Sequence, residues 1–362
     1  MRIQSLDGLR AVSILLVVLG HAYVAAFGPK GMMALVVASL ADLGVGIFFV
    51  ISGFLITTLL LQEQAKYGKF SLKRFYIRRA FRILPPFYSY MAVVLVLIVC
   101  GVAVVPMRFW LEAVLFTRDY FLLGRDPWTA GIWSLSVEEQ FYLMWPACLA
   151  FCGTRRARNL AIGLIAFAPL IRIVSHKFFT PNWGFAEGLT FHNRIDGLML
   201  GCVLAILESD PKFYERYRRL LHPAAAAVAV VFLLVVSPTL TGIFDRFYRV
   251  PIKYTLDNLA IAYVIWFFVR NAASIGGRVL NWGPIVHTGQ ISYSMYLWGM
   301  VAGYLVHKSG VTHGSISTAL LSIPVLFGVS ELSWRLVEQP ALRLRVRFLD
   351  RKVADTASSA TA

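Results

Sequence analysis

The chain has 362 residues, of which 58% are hydrophobic and only 15% are charged, and its formal net charge is +16. Soluble domains carry about 25% charged residues, so this composition excludes a soluble protein of this length. Basic residues in a membrane protein set the topology and contact anionic lipid head groups, so the positive charge requires no nucleic-acid partner.

Apolar segments long enough to cross a bilayer, about 17 to 25 residues each, recur along the whole sequence. They lie at 8–28, 40–61, 84–106, 132–152, 159–175, 190–207, 220–242, 252–270, 285–306 and 314–337. The segments at 132–152 and 190–207 contain charged residues, which are costly in a bilayer. The sequence therefore predicts an all-α fold, a polytopic membrane bundle of about ten transmembrane helices.

The first segment carries Asp7 and Arg10 at one end and His21 in its interior. An apolar core that follows Arg2 is also the pattern of a cleaved signal peptide. Because Asp7 and Arg10 interrupt that pattern and the core is long enough to span a bilayer, we expect the segment to be retained.

The Lys and Arg residues are distributed unevenly between the two sides of the predicted bundle. If the N-terminus is cytoplasmic, 22 of the 35 fall on the inner side, nine on the outer side and four within the segments. This asymmetry follows the positive-inside rule and predicts that both termini are cytoplasmic. We expect one transmembrane domain at 1–342 and a cytoplasmic tail at 343–362 that is basic and then disordered.

One face of the first predicted helix is polar. Arg10 and His21 lie eleven residues apart, which at about 100° and 1.5 Å per residue places them on one face, roughly 16 Å apart along the axis. Asp7 precedes Arg10 by three residues and lies on nearly the same face. A membrane histidine more often hydrogen-bonds to another helix than catalyses a reaction, but an imidazole also suits proton transfer near neutral pH.

Two later segments carry ionisable residues that we expect at the depth of His21. Glu138 and Glu139 lie about two turns below the predicted outer surface, and Arg194 and Asp196 enter from the same side. Glu138 acting only as a bundle lock, and an internal ion pair of Arg194 with Asp196, are the less specific alternatives. A shared depth favours one common site, because independent packing contacts would not need it.

The stretch "KRFYIRRAFRILPPFY" concentrates basic residues before the third segment. Positive-inside topology and contact with anionic lipids account for these charges. Arg79 and Arg82, however, share a face if this stretch is helical, and the bidentate fork of arginine suits phosphate. The pattern therefore also fits a phosphate-bearing donor that arrives from the cytoplasm.

Seven ordered motifs span residues 6–340: "LDGLRAVSILLVVLGHA", "GIFFVISGFLIT", "RRAFRILPPFY", "WSLSVEEQFYLMWP", "RIDGLMLG", "ISYSMYLW" and "WRLVEQP". In these motifs the sequence resembles acyltransferase family 3, polytopic enzymes that acylate carbohydrates and other acceptors at bacterial membranes. The resemblance implies transfer of an acyl group, commonly acetyl from acetyl-coenzyme A (acetyl-CoA), to an acceptor hydroxyl. It also implies acyl-CoA as a co-substrate, with no permanently bound cofactor, and a location in the bacterial cytoplasmic membrane.

The resemblance assigns the family's patterned positions to particular residues. These are Arg10 and His21 on the first helix, Ser52 and Gly53 in a turn, Arg79 and Arg82 in the basic motif, Glu138 in the acidic motif, Arg194 with Asp196, and Ser292 with Tyr293. Gly299 follows Trp298 where the family often has a histidine, so no catalytic role is assigned at that point.

We expect His21 to be the general base that removes the proton of the acceptor hydroxyl, and Glu138 to orient the imidazole. Arg10, Arg79 and Arg82 are expected to bind the donor. Asp7 and Glu139, with the remaining matched residues, are expected to support the site or the acceptor. A covalent acyl-His21 intermediate is the main mechanistic alternative.

Other classes of protein suit some of these residues. His21 and Glu138 fit a proton relay in a proton-coupled transporter, but such transporters often contain inverted repeats, and none is evident here. A lipid-binding scaffold would not need both residues at one depth. We expect a carbohydrate or glycolipid acceptor, and no metal, because the four cysteines lack metal-ligand spacing.

Overall fold

A computed structural model of the chain describes residues 3–120, 126–179, 188–311, 315–346 and 348, and these contain helices and no strand. The prediction of an all-α fold is confirmed. The helices, apart from short 3-10 turns, are α1 Gln4–Phe27, α2 Met32–Tyr67, α3 Leu72–Val99, α4 Met107–Val114, α5 Trp133–Val174, α6 Phe191–Glu208, α7 Pro211–Tyr217, α8 Pro223–Phe244, α9 Arg246–Arg270, α10 Ile275–Leu280, α11 Gly283–Gln290, α12 Ser292–Lys308 and α13 Ser315–Val346.

Within the described residues, seven helices are long and apolar enough to cross a membrane: α1, α2, α3, α8, α9, α13 and the segment Ala130–Phe178 that contains α5. The number differs from the predicted ten for two reasons. Two predicted segments lie within α5, which is interrupted at Gly153 (φ 74°, ψ 162°). In addition, α6 and α12, with 18 and 17 residues, are not among the seven.

Helices α2 and α6 approach closely because glycine lies at their contact. A Cβ atom on Gly53 would lie 2.0 Å from the Leu198 carbonyl oxygen, and one on Gly201 would lie 2.1 Å from the Val50 carbonyl oxygen. Small residues allow the backbones of membrane helices to pack in this way. Ser52 and Gly53 are therefore interior residues of the continuous helix α2, and the expectation of a turn there is wrong.

The antiparallel pair α1 and α2 defines two levels in the bundle. Gly20 lies against Ala41, and the Ser13 hydroxyl donates a hydrogen bond to the Gly44 carbonyl. Since the chains run in opposite directions, His21 is level with the Ala41 region of α2. Ser52, eight residues beyond Gly44, lies near the level at which α1 begins.

The C-terminal part of α13 returns to the beginning of α3. The Phe348 ring packs against Phe81, with 5.9 Å between the ring centroids. Helix α13 continues to Val346, beyond the predicted domain boundary at residue 342. Residues 349–362, which make up most of the predicted tail, lie outside the described residues.

Candidate active site

Glu138 of α5 lies at the centre of a buried hydrogen-bond cluster between α2 and α5. Ser52 Oγ donates to its Oε1 at 3.0 Å, and the Tyr142 hydroxyl donates to its Oε2 at 2.8 Å. The Tyr142 and Ser52 oxygens are themselves 3.0 Å apart. Sequence reasoning did not identify Tyr142, although its position four residues after Glu138 would place both on one helix face.

Two charged side chains beside this cluster retain unsatisfied hydrogen-bonding atoms. The Arg79 guanidinium lies over the Tyr142 ring, with 4.3 Å from Cζ to the centroid, and its Nη2 is buried without a hydrogen-bond partner. Glu139 Oε1 is also buried without a partner. The two charges interact electrostatically, but no ion pair joins them in the part of the chain that the structure describes. Buried unpaired atoms are costly, so this arrangement suits a bound ligand.

Arg10 and Arg82 extend this cluster into a set of five neighbouring charged residues, Arg10, Arg79, Arg82, Glu138 and Glu139, which we call the cationic chamber. Arg10 lies 4.0 Å from Asp7 and within electrostatic range of Arg79 and Glu138. Arg82 is exposed and lies within range of Arg10 and Arg79. The structure thus brings the three arginines predicted to bind the donor to one place. Like charges at close range favour an anionic ligand.

Helices α12 and α13 place further polar residues beside the chamber. The Tyr293 hydroxyl donates to the Ile83 carbonyl at 3.1 Å, while Ser292 is buried at the first residue of α12. Glu338 of α13 is buried, accepts a hydrogen bond from Ser294, and lies within electrostatic range of Arg82. Glu338 is not among the site residues predicted from the sequence, although the motif "WRLVEQP" contains it.

Arg194 and Asp196 lie in a separate buried network, and the alternative of an internal ion pair between them is wrong, because each pairs with a residue of another helix. Arg194 Nη2 lies 2.8 Å from Asp42 Oδ1, and its guanidinium lies 3.7 Å from the centroid of the Tyr254 ring. Asp196 instead pairs with Arg172, whose Nη1 is 2.9 Å from Oδ2. Asp42 follows Ala41, which faces Gly20, so this network is level with His21.

His21 is not at the depth of Glu138, contrary to the expectation. The beginning of α12 lies beside the chamber, because Tyr293 hydrogen-bonds to Ile83, the residue after Arg82. The Ser134 hydroxyl, at the second residue of α5, hydrogen-bonds to Tyr296, one turn into α12. Helix α5 therefore begins deep in the bundle. Glu138 is consequently near Arg10, about three turns from His21 along α1. The His21 side chain is exposed and has no hydrogen bond to any described residue.

The segment that follows α4 is attached to α5 and to the first residue of α6 through Asp119. Its carboxylate accepts hydrogen bonds from Gln140 Nε2 at 2.9 Å and from the Phe191 backbone amide at 3.0 Å. Burial outweighs these bonds and raises the pKa of Asp119 to about 6. Among the described residues, no three His, Cys, Asp or Glu side chains are grouped as metal ligands would be.

Comparison with known proteins gives a family match over almost the whole chain. The sequence profile of a family described as "Acyltransferase domain" matches residues 3–334. The chain is 27% identical to the peptidoglycan O-acetyltransferase OatA of Listeria monocytogenes, over 93% of this chain and 55% of that protein. It is also 27% identical to the O-acetyltransferase OatA of Staphylococcus aureus, over 93% of this chain and 57% of that protein. The chain therefore spans little more than half the length of these relatives. No solved structure matches it.

Proposed function

The chain belongs to this acyltransferase family, and on that premise we propose that it moves an acetyl group from acetyl-CoA to a hydroxyl of a cell-surface carbohydrate. The cationic chamber carries the proposal, because three converging arginines and the unpaired Arg79 Nη2 suit a phosphate-bearing donor. The names of the two relatives support acetyl as the group transferred, and one of them supports a polysaccharide acceptor.

We further propose that the protein spans the bacterial cytoplasmic membrane ten times, with both termini in the cytoplasm. The seven long apolar helices become ten spans when α5 is divided at Gly153 and when α6 and α12 are included. The excess of basic residues on one side supports the orientation. The donor would then reach Arg79 and Arg82 from the cytoplasm, where acyl-CoA is made.

In the proposed reaction His21 acts one level above the donor chamber. Its imidazole takes the proton of the acceptor hydroxyl while the hydroxyl oxygen attacks the thioester carbonyl. The carbon–sulfur bond then breaks, and the departing CoA thiolate takes the proton back from the imidazolium. The exposed position of His21 leaves it open to an acceptor. Glu138, held by Ser52 and Tyr142, balances Arg10 and Arg79 rather than contacting the imidazole.

Transfer by the purified protein tests this function. The protein in lipid nanodiscs is incubated with radiolabelled acetyl-CoA and envelope polysaccharide from a strain that lacks the gene. We expect label in the polysaccharide and stoichiometric release of CoA. Acetylated polysaccharide from a strain expressing the gene serves as the control, because its occupied hydroxyls should accept less label. No transfer and no CoA release from correctly folded protein would contradict the proposal.

A further inference from the structure

The end of α13 is held beside the basic beginning of α3 by two contacts, one next to Arg82 of the chamber and one beyond it. Glu338, buried next to Ser294 and near Arg82, holds the helix at one point. Phe348 packs on Phe81 at the other. The residues of α13 between these contacts therefore have a defined position beside α3.

Arg345 is the basic residue of α13 that faces α3. It follows Glu338 by seven residues, so at about 100° per residue the two side chains lie within roughly 20° of one another on the helix. On α3, Arg78 and Arg82 are four residues apart and share a face. Glu338 interacts with Arg82, and Arg345 interacts with Arg78. The same faces of the two helices therefore meet over this length.

Three arginines meet at this contact, Arg78, Arg82 and Arg345, and of the acidic residues that the structure describes only two, Glu63 and Glu338, lie near them. Arg78 pairs with Glu63, with 2.7 Å between Nη2 and Oε2. Neither Arg345 nor Arg82 has an ion-pair partner among the described residues, and Arg345 is partly buried beside another arginine. Bringing like charges together is unfavourable, and an anion bound between the helices would offset this cost.

We propose that Arg345 belongs to the donor site and binds a phosphate of the CoA moiety, together with Arg82. This inference rests on the proposed function. Coenzyme A carries several phosphate oxygens at the end opposite its thioester. Helix α13 would hold that end beside Arg82 of the chamber. The phosphate of an anionic lipid head group has the same chemistry, and the experiment separates these two sources.

The test compares Arg345→Ala with the matched variant Arg343→Ala. Arg343 lies on the same helix and carries the same charge, but it is five residues from Glu338, about 140° away around the helix, and hydrogen-bonds to Gln339. Acetyl-CoA and acetyl-pantetheine, which lacks the phosphates, are used as donors, and the affinity for CoA is measured directly. Nanodiscs of phosphatidylcholine alone and with phosphatidylglycerol are compared.

We expect Arg345→Ala to weaken CoA binding and to raise the KM for acetyl-CoA about 10-fold, as the loss of one charge-assisted hydrogen bond does. Activity with acetyl-pantetheine and all properties of Arg343→Ala should remain unchanged. Arg345→Lys should restore part of the affinity. Its activity also shows that a variant substituted at position 345 folds and can be assayed. These effects should be equal in both nanodiscs.

An equal loss in Arg343→Ala, an unchanged CoA affinity in Arg345→Ala, or an effect confined to the anionic nanodiscs would overturn the inference. The last outcome would assign Arg345 to lipid. Failure of the proposed function would differ from all of these, because the wild-type protein itself would then neither bind CoA nor release it from acetyl-CoA.

Discussion

Arg79 is the residue whose surroundings most directly indicate a missing partner. Its Nη2 is buried and unpaired beside an acidic residue, Glu139, that also has an unpaired oxygen. We expect Arg79→Ala to weaken CoA binding by about 10-fold to 100-fold, because a charge-assisted contact is lost. Arg79→Lys should restore only part, since the bidentate fork is absent. Unchanged affinity in a correctly inserted Arg79→Ala, Arg82→Ala double variant would leave both residues as topology signals.

His21 provides a sharper test of the chemistry. We expect His21→Ala to insert normally and to bind CoA as the wild type does, because its side chain has no hydrogen bond to a described residue. Acetyl transfer per folded molecule should fall at least 100-fold, as expected for loss of a general base. Near-normal turnover would exclude both the general-base and the acyl-histidine mechanisms.

Intact-protein mass spectrometry after incubation with acetyl-CoA alone distinguishes the two roles of His21. Direct transfer predicts an unmodified protein. A covalent acyl-His21 intermediate predicts an added acetyl group that is absent from His21→Ala, together with ping-pong kinetics.

All five chamber residues could be predicted from the sequence, but their depth relative to His21 could not. Arg10, Arg79, Arg82 and Glu138 were named from charge and motif, and the structure brings them together. Glu138 was placed at the depth of His21 by counting turns from the outer surface. That count failed because α5 begins deep in the bundle, a property of the preceding chain path that hydropathy does not encode.

At the level of helices, the contact of α2 with α6 supports the residues around Glu138. We expect Gly53→Ala to destabilise the protein by about 1–3 kcal/mol, because the new Cβ would meet the Leu198 backbone and neither helix can yield easily. Gly163→Ala in α5 is the matched control, since open space surrounds that position. It should be neutral or stabilising, because alanine favours a helix over glycine. Thermal unfolding in detergent measures both, and equal melting temperatures would contradict the expectation.

The segment that joins α4 to α5 gives the protein a pH-dependent contact. Because burial raises the pKa of Asp119 to about 6, above about 3.9 for an unfolded chain, the folded protein binds this proton more tightly. The contribution of Asp119 to the free energy of unfolding therefore decreases as pH rises from about 4 to about 6, by at most about 3 kcal/mol.

Asp119→Asn should remove that part of the pH dependence, since the amide does not titrate. Thermal unfolding of both proteins between pH 4 and pH 7 measures the difference in slope. Parallel curves would show that Asp119 titrates at its ordinary pKa.

The sequence predicts where the helices lie more reliably than it predicts where a helix is interrupted. Long apolar runs identified the helices because burial in lipid requires them. The interruption at Gly153 agrees with the sequence, which predicts separate apolar segments at 132–152 and 159–175, on either side of that residue. The error occurs at Ser52 and Gly53, where a motif suggests a turn but close packing against α6 explains the glycine.

At the scale of the whole molecule, buried ion pairs connect helices that are distant in sequence. Arg194 pairs with Asp42 of α2, and Arg172 pairs with Asp196 across α5 and α6. Asp196 is the acidic residue nearest to Arg194 in the sequence, so sequence distance does not predict that Arg194 pairs with Asp42. Only the three-dimensional arrangement shows that these charges are paired at the level of His21, whereas Arg79 and Arg82 of the chamber have no ion-pair partner among the described residues.

The orientation of the protein in the membrane determines whether Arg79, Arg82 and Arg345 can bind a donor that arrives from the cytoplasm. Cysteine labelling tests it, after the exposed Cys100 and Cys152 are replaced by serine. Gly68, Gly153 and Gly310 have positive φ angles and would be strained by a side chain, so the neighbouring exposed residues Lys69 and Ser309 are better sites. The segment around Gly124 lies outside the described residues.

We expect Ser309→Cys to react with a membrane-impermeant maleimide in intact cells and Lys69→Cys to react only after the membrane is permeabilised. The physical reason is the positive-inside rule, with 22 basic residues on the predicted inner side and nine on the outer side. Labelling of both variants after permeabilisation controls for accessibility. The reversed pattern would place Arg79, Arg82 and Arg345 on the outer side of the membrane, where no CoA is available, and would exclude a cytoplasmic acyl-CoA as the donor.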